Sequence, residues 1–251
     1  MKILITGAGG YLAQGLVTPF ESRHKLRLMD VKPFHSAHET SIGDVADLDA
    51  VRKAVKGVDA ILIAHMASRQ AGAYETPTVA FDANVKGTAN LFFAAVEQHV
   101  KKVCVISSSG VLAGYSKDKV SFYTRDLFPK GNDMYTLTKG CQEIIAEQFQ
   151  RMHNLSVSVL RLGWVMNADT RIDKYNTPHP KYSVGMTDPR DIGEAARLAL
   201  ERNDLTYEVF YVEGTAESIH HCDVEYTRTK LGWTPKYDFR TPSSTESSRT
   251  Q

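Results

Sequence analysis

The chain has 251 residues, of which 42% are hydrophobic and only 9 are proline, and its 30 lysines and arginines nearly balance 29 aspartates and glutamates. This excludes a disordered or fibrous chain, and the length suffices for one core closed without disulfides or a structural metal. Balanced charge without a long basic run argues against nucleic acid, and no apolar run reaches the ~18 residues of a membrane span, so the expected partner is a small molecule. The three cysteines, Cys104, Cys141 and Cys222, form no CxxC pair. With no signal-peptide pattern at the start, the expectation is a cytoplasmic protein.

Along the chain, a β-branched run predicts a strand at 2–6, followed by glycines and by helical spacing at 10–20 that ends near Pro19. Strands are expected at 26–30, near Ile42, at 60–64 and at 103–106, with helices at 48–55 and within 78–100. A helix at 135–151 and strands at 157–160 and 209–212 follow. Continuous apolar strands alternating with helices predict an α/β fold, a doubly wound parallel sheet of the Rossmann type. Residues 1–160 read as the dinucleotide-binding core and 161–240 as a small substrate-binding part. Within the latter, the proline-bearing stretch 167–190 is expected to be irregular and to face substrate. The Ser/Thr-rich residues 241–251 read as a frayed tail.

Thr6-Gly7-Ala8-Gly9-Gly10-Tyr11-Leu12-Ala13 joins the first strand to the first helix. Its spacing, GxxGxxA, is a variant of the dinucleotide fingerprint, in which backbone amides at a helix start receive a pyrophosphate. Asp30 ends the second strand, where a carboxylate accepts both hydroxyls of an adenosine ribose and repels a 2′-phosphate, favouring NAD over NADP. Asp44, in Gly43-Asp44-Val45, follows the short third strand and reads either as an adenine-side contact or as a turn or capping residue.

Three Tyr-x-x-x-Lys pairs occur: Tyr115/Lys119, Tyr135/Lys139 and Tyr226/Lys230. A phenol of pKa ~10 serves as a base near neutrality only if a neighbouring ammonium lowers it, and on a helix the i, i+4 spacing places both groups on one face. Tyr115 reads as a loop residue, and Tyr226 lies far from the nucleotide half. Tyr135 opens a long amphipathic helix and is the chosen acid/base, with Lys139 beside it. Ser107-Ser108-Ser109 leaves the 103–106 strand, and Ser109 is the first choice for orienting a substrate oxygen, Ser108 the second.

With these motifs, together with Asn84-Val85-Lys86-Gly87-Thr88, Arg161-Leu162-Gly163 and Lys230-Leu231-Gly232-Trp233, the sequence resembles the extended short-chain dehydrogenases/reductases of the NAD-dependent epimerase/dehydratase family. In layout and length it is most similar to uronate dehydrogenases. The resemblance implies hydride transfer by Ser109, Tyr135 and Lys139. Cofactor contacts are implied for Gly7, Gly10, Tyr11 and Leu12, for Asp30, Asp44 and Val45, and for Ala64, His65 and Met66. Asn84, Ser107, Tyr135 and Lys139 complete that set. Substrate contacts are implied for Ser68, Ser108, Ser109 and Gly110; no metal is expected, and a homo-oligomer is compatible. Arg171, in the segment after Arg161-Leu162-Gly163, reads either as a partner for a substrate carboxylate or as a solvated side chain. His65 and Met66 depart from the small residues usual at their positions, and the part after Leu160 is short for holding a nucleotide. The leading expectation is therefore an NAD-dependent oxidoreductase acting on a small sugar or sugar acid. A nucleotide-sugar epimerase or dehydratase with tightly held NAD, and a non-catalytic dinucleotide sensor, are the alternatives.

Overall fold

The computed structural model describes residues 1–67 and 76–240; Ser68 and the tail at 241–251, for which expectations were stated, lie outside the described residues. The strands are β1 (Lys2–Thr6), β2 (Lys25–Asp30), β3 (Glu39–Ile42), β4 (Ala60–Ile63), β5 (Lys102–Ser108), β6 (Ser156–Leu162), the short β7 (Trp164–Val165) and β8 (Met186–Thr187), and β9 (Tyr207–Val212). Seven of them form one parallel sheet in the order β3-β2-β1-β4-β5-β6-β9, and β7 pairs with β8. The strand order reverses between β1 and β4, the crevice where a doubly wound sheet binds its ligand.

The helices are α1 (Ala13–Glu21), α2 (Leu48–Val55), α3 (Pro77–Ala80), α4 (Gly87–Glu97), α5 (Met134–His153), α6 (Pro189–Glu201) and α7 (Val224–Leu231). Alternation along β1 shows how they cover the sheet. Ile3 and Ile5 join Leu16, Phe20, Ile192 and Trp233 on one face, whereas Leu4 joins Val51, Val55, Leu91 and Phe92 on the other. Both faces of the strand are therefore dry, as its uninterrupted apolar sequence requires.

Three differences from the expected elements have local causes. Pro19 lies within α1 instead of stopping it. Lacking an N–H, it leaves the Gly15 carbonyl without its usual helical donor, and Gly193 of α6 packs there, so close that a β-carbon on it would fall 2.2 Å from that oxygen. The helix expected within 78–100 is interrupted by a π-helical turn, Phe81–Lys86, between α3 and α4. Residues 167–190 are not wholly irregular: Met186–Thr187 forms β8, and α6 begins at Pro189 after Asp188, whose carboxylate accepts from the Arg190 N–H and also from Ala168 N–H at 2.8 Å. An Asp-Pro helix start is a readable signal.

Candidate active site

A cleft of about 1260 Å³ runs across the carboxyl ends of β1, β4 and β5. That exceeds the roughly 300–1,000 Å³ of an ordinary small-ligand pocket, leaving room for a dinucleotide and a further small molecule. Its first wall is the glycine turn. Gly7 takes φ +73°, and a β-carbon there would lie 2.8 Å from the His65 Cα, so both its conformation and its neighbour demand glycine. At Gly10 a β-carbon would meet the Gly7 carbonyl at 3.2 Å. Leu12 stands at the N-cap of α1 without a capping hydrogen bond, and no acidic side chain occupies the first turn. No side chain of the helix itself therefore compensates its dipole at the cleft, which suits an incoming pyrophosphate.

Asp30 closes the β2 end of this wall. Its carboxylate accepts from the Gly9 N–H at 2.9 Å and from the Lys32 N–H at 3.1 Å, which fixes it beside the glycine turn with acceptor capacity remaining for ribose hydroxyls. Asp44 and Val45 line the same end; Asp44 also accepts from the Ala46 N–H at 2.8 Å, so its turn role is realised as well. The small residues, the bare helix start and the fixed carboxylate together fit an adenine dinucleotide.

Ala64, His65 and Met66 follow β4 and line the middle of the cleft. The imidazole of His65, however, turns inward beneath the glycine turn. Its Nε2 lies 3.0 Å from the Ala83 carbonyl and its Nδ1 2.9 Å from the Thr6 hydroxyl. A carbonyl can only accept, so Nε2 carries the proton and Thr6 donates to Nδ1. Burial, reinforced by the nearby Lys139 charge, lowers the His65 pKa to about 3. His65 thus lines the cleft with a neutral imidazole whose two ring nitrogens are both engaged within the protein.

Tyr135 and Lys139 stand on the first turns of α5 and both line the cleft. Asp133 caps this helix in a reciprocal arrangement with Thr136. Lys139 is buried, and its Nζ donates to the Ile106 carbonyl at 2.6 Å and to Gln142 Oε1 at 2.7 Å. Gln142 in turn donates to Thr88 at 2.6 Å. Burial first, and then the Lys174 charge, pull the Lys139 pKa down to about 7, while Glu143 opposes them. The other two Tyr-x-x-x-Lys pairs do not converge on this point. Tyr115 lies in a 3-10 turn and donates to the Phe128 carbonyl, and Tyr226 on α7 donates to Glu208.

The three serines after β5 divide their work. Ser107 is buried, lines the cleft and donates its hydroxyl to Glu143 of α5 at 2.5 Å. Glu143 also pairs with Arg161 of β6 at 2.9 Å, and both side chains are buried. Ser108 accepts from the Gly110 N–H at 3.1 Å and so caps the following turn. Ser109 lines the cleft and donates to Glu213 at 2.9 Å.

Two expected contacts are corrected. Asn84 is buried and does not line the cleft; it accepts from the Ala67 N–H at 2.7 Å and donates to Thr138 at 2.9 Å, bracing the β4 exit against α5. Arg171 is buried as well. With φ +52° it turns its guanidinium inward onto the carbonyls of Pro180 and Phe239 and does not line the cleft. Three residues on, Lys174 lines the cleft instead. This exposed ammonium lies 5.6 Å from the Tyr135 ring centre, 5.1 Å from that of Tyr175 and 3.7 Å from the Met66 sulfur. Tyr11 ties this segment to the glycine turn, donating to the Ile172 carbonyl at 2.6 Å and accepting from the Asn167 N–H at 3.0 Å.

Residues 3–176 match the NAD dependent epimerase/dehydratase family. The chain belongs to that family. The NAD-dependent glucose-6-phosphate dehydrogenase of Haloferax volcanii is 25% identical over 93% of this chain and 92% of its own. The uronate dehydrogenase of Pseudomonas syringae pv. tomato is 30% identical over 64% of this chain and 58% of its own. A short-chain dehydrogenase/reductase superfamily protein from Agrobacterium tumefaciens, solved with bound NAD, superposes with TM-score 0.81 at 19% identity, covering 96% of this chain and 94% of that one. In this epimerase/dehydratase chain the glycine turn and Asp30 line one part of the cleft with features that fit NAD, and Ser109, Tyr135 and Lys174 line another.

Proposed function

We propose that this chain is an NAD-dependent dehydrogenase that oxidises a small sugar or sugar acid, with Tyr135, Lys139 and Ser109 as its reactive groups. The observation that carries the reading is the meeting of these three side chains at one end of the cleft, with the Lys174 ammonium above the Tyr135 ring. NAD, when bound, supplies the hydride acceptor. Tyr135 Oη takes the proton of the reacting hydroxyl, and the Lys139 charge favours its phenolate form. The two hydrogen bonds from Lys139 Nζ to Ile106 and Gln142 fix the direction from which that charge acts. Ser109 Oγ holds the reacting oxygen. Lys174 attracts a carboxylate or phosphate carried elsewhere on the substrate, the part here reassigned from Arg171.

The chemistry of the cleft end also bears on substrate size. Trp164, Tyr175, Val184 and Gly185 line it, and they come from the short segment after β6. A free sugar suits that wall better than a nucleotide sugar. The test is a screen by NADH absorbance with a uronic acid, an aldose 6-phosphate, a neutral aldose and a UDP-sugar. Net NADH from a free sugar supports the reading. Interconversion of the UDP-sugar without net NADH would replace it with the epimerase alternative.

A further inference from the structure

Glu213 immediately follows β9 and lines the substrate end of the cleft, although only 8% of it is exposed. Burying a carboxylate is costly unless donors surround it. Its described donor is neutral, the Ser109 hydroxyl at 2.9 Å; the neighbouring Cys222 thiol donates instead to the Ser218 carbonyl. Among the described residues no lysine, arginine or histidine forms an ion pair with it. Its other surroundings are glycines, since a β-carbon on Gly163 would lie 3.0 Å from its Cγ and one on Gly185 3.3 Å from its Oε2. A carboxylate offers about four acceptor positions, so the hydrogen bond from Ser109 leaves it acceptor capacity at the cleft it lines.

From this we infer that Glu213 is a specificity residue that accepts a hydrogen bond from a second substrate hydroxyl, on the carbon next to the one oxidised. The inference rests on the dehydrogenase reading, in which Ser109 holds the reacting oxygen. Glu213 stands one hydrogen bond beyond Ser109, and a neighbouring hydroxyl on a sugar ring stands at a similar remove from the reacting oxygen. Charge then sets the orientation. Glu213 repels an anionic group, and Lys174, set against Tyr135, Tyr175 and Met66, attracts one. The substrate is accordingly a vicinal diol at the Glu213 wall with any negative charge directed toward Lys174.

The test compares wild type with Glu213→Gln and Glu213→Leu on the sugar that gives most NADH in the screen and on its analogue deoxygenated at the neighbouring carbon. Calorimetric NAD binding checks that each variant is folded. Wild type should prefer the hydroxylated sugar by roughly 10- to 150-fold in kcat/KM, the range for a hydrogen bond to a charged group. Glu213→Leu should erase that preference by losing activity on the hydroxylated sugar alone, and Glu213→Gln should retain part of it. A purely structural Glu213 would lower both activities together and keep their ratio, which overturns the inference while leaving the dehydrogenase reading intact. If no free sugar yields NADH, that reading fails first. Calorimetry of the same sugars with NADH-loaded protein then decides for Glu213: binding weakened by Glu213→Leu only for the hydroxylated sugar upholds the subsite, and equal or absent binding removes it.

Discussion

At the nucleotide end, the cleft takes its shape from short contiguous stretches: Gly7 and Gly10 leave β1, and Asp30 ends β2, the strand paired directly with it. The substrate end draws Ser109 from the β5 exit, Tyr135 from α5, Lys174 from the 167–185 loop and Glu213 from the β9 exit. The first wall is held by backbone geometry, which any sequence satisfying the turn reproduces. The second is held by side chains whose placement depends on distant partners, such as Glu143 and Arg161 beneath α5 and Tyr11 reaching across to Ile172. Cofactor binding is therefore the robust property of this chain, and substrate chemistry the one that single substitutions should disturb.

The sharpest separation of the two ends is Tyr135→Phe. Removing a positioned acid/base should lower kcat by about 100- to 10,000-fold, while calorimetry finds NAD affinity unchanged. Tyr115→Phe and Tyr226→Phe, whose hydroxyls serve Phe128 and Glu208, should stay active. Loss of activity in either, with Tyr135→Phe unimpaired, would move the reactive group out of the cleft.

Next comes the support of α5. Arg161→Ala leaves the buried Glu143 carboxylate with Ser107 but without its cation. Removing one partner of a buried pair costs about 3–5 kcal/mol, which urea denaturation should show as a lower midpoint.

A smaller effect distinguishes the two cations of the 167–185 loop. Lys174→Met should reduce kcat/KM for a uronic acid or sugar phosphate by roughly 10- to 150-fold, with the neutral aldose little affected. Arg171→Ala should instead lower thermal stability and treat charged and neutral sugars alike, because its guanidinium holds Pro180 and Phe239.

The readability of the sequence follows the same division. The glycine turn, Asp30 and the Tyr135/Lys139 pair are local patterns, each decided by spacing and by the element it stands on. In the loop after β6 Arg171 was singled out and Lys174 passed over, because nothing local tells which of the two lines the cleft. There Asp173 gathers the Tyr175 and Thr177 N–H groups and the His179 ring, and this knot sends Lys174 outward while Arg171 folds inward. Glu213 was missed because nothing near it in sequence marks it; only the sheet brings it beside Ser109, 104 residues away. Asn84, expected at the cofactor, stands in the π-helical turn and donates to Thr138, a contact that no local pattern marks.

The smallest predicted effect concerns the floor of the nucleotide end. His65 titrates near 3 when folded and near 6.5 when unfolded, so between these values the unfolded chain binds the extra proton. Its contribution to stability is complete above pH 6.5 and is lost as pH falls toward 3. At pH 5 the loss amounts to about 2 kcal/mol. His65→Gln, which can still accept from Thr6 and donate to Ala83, should show a correspondingly flatter fall in urea stability between pH 6.5 and 5. Parallel curves for the two proteins would mean that His65 is not held neutral.

The most direct measurement follows the hydride itself from one end of the cleft to the other. The protein is incubated with NAD and the active free sugar deuterated at its reacting carbon, and the nicotinamide product is examined by NMR. The account predicts NADH carrying one deuterium for each sugar oxidised, formed by wild type and not by Tyr135→Phe. NADH without deuterium, or deuterium retained in an epimerised sugar with no NADH released, would contradict it.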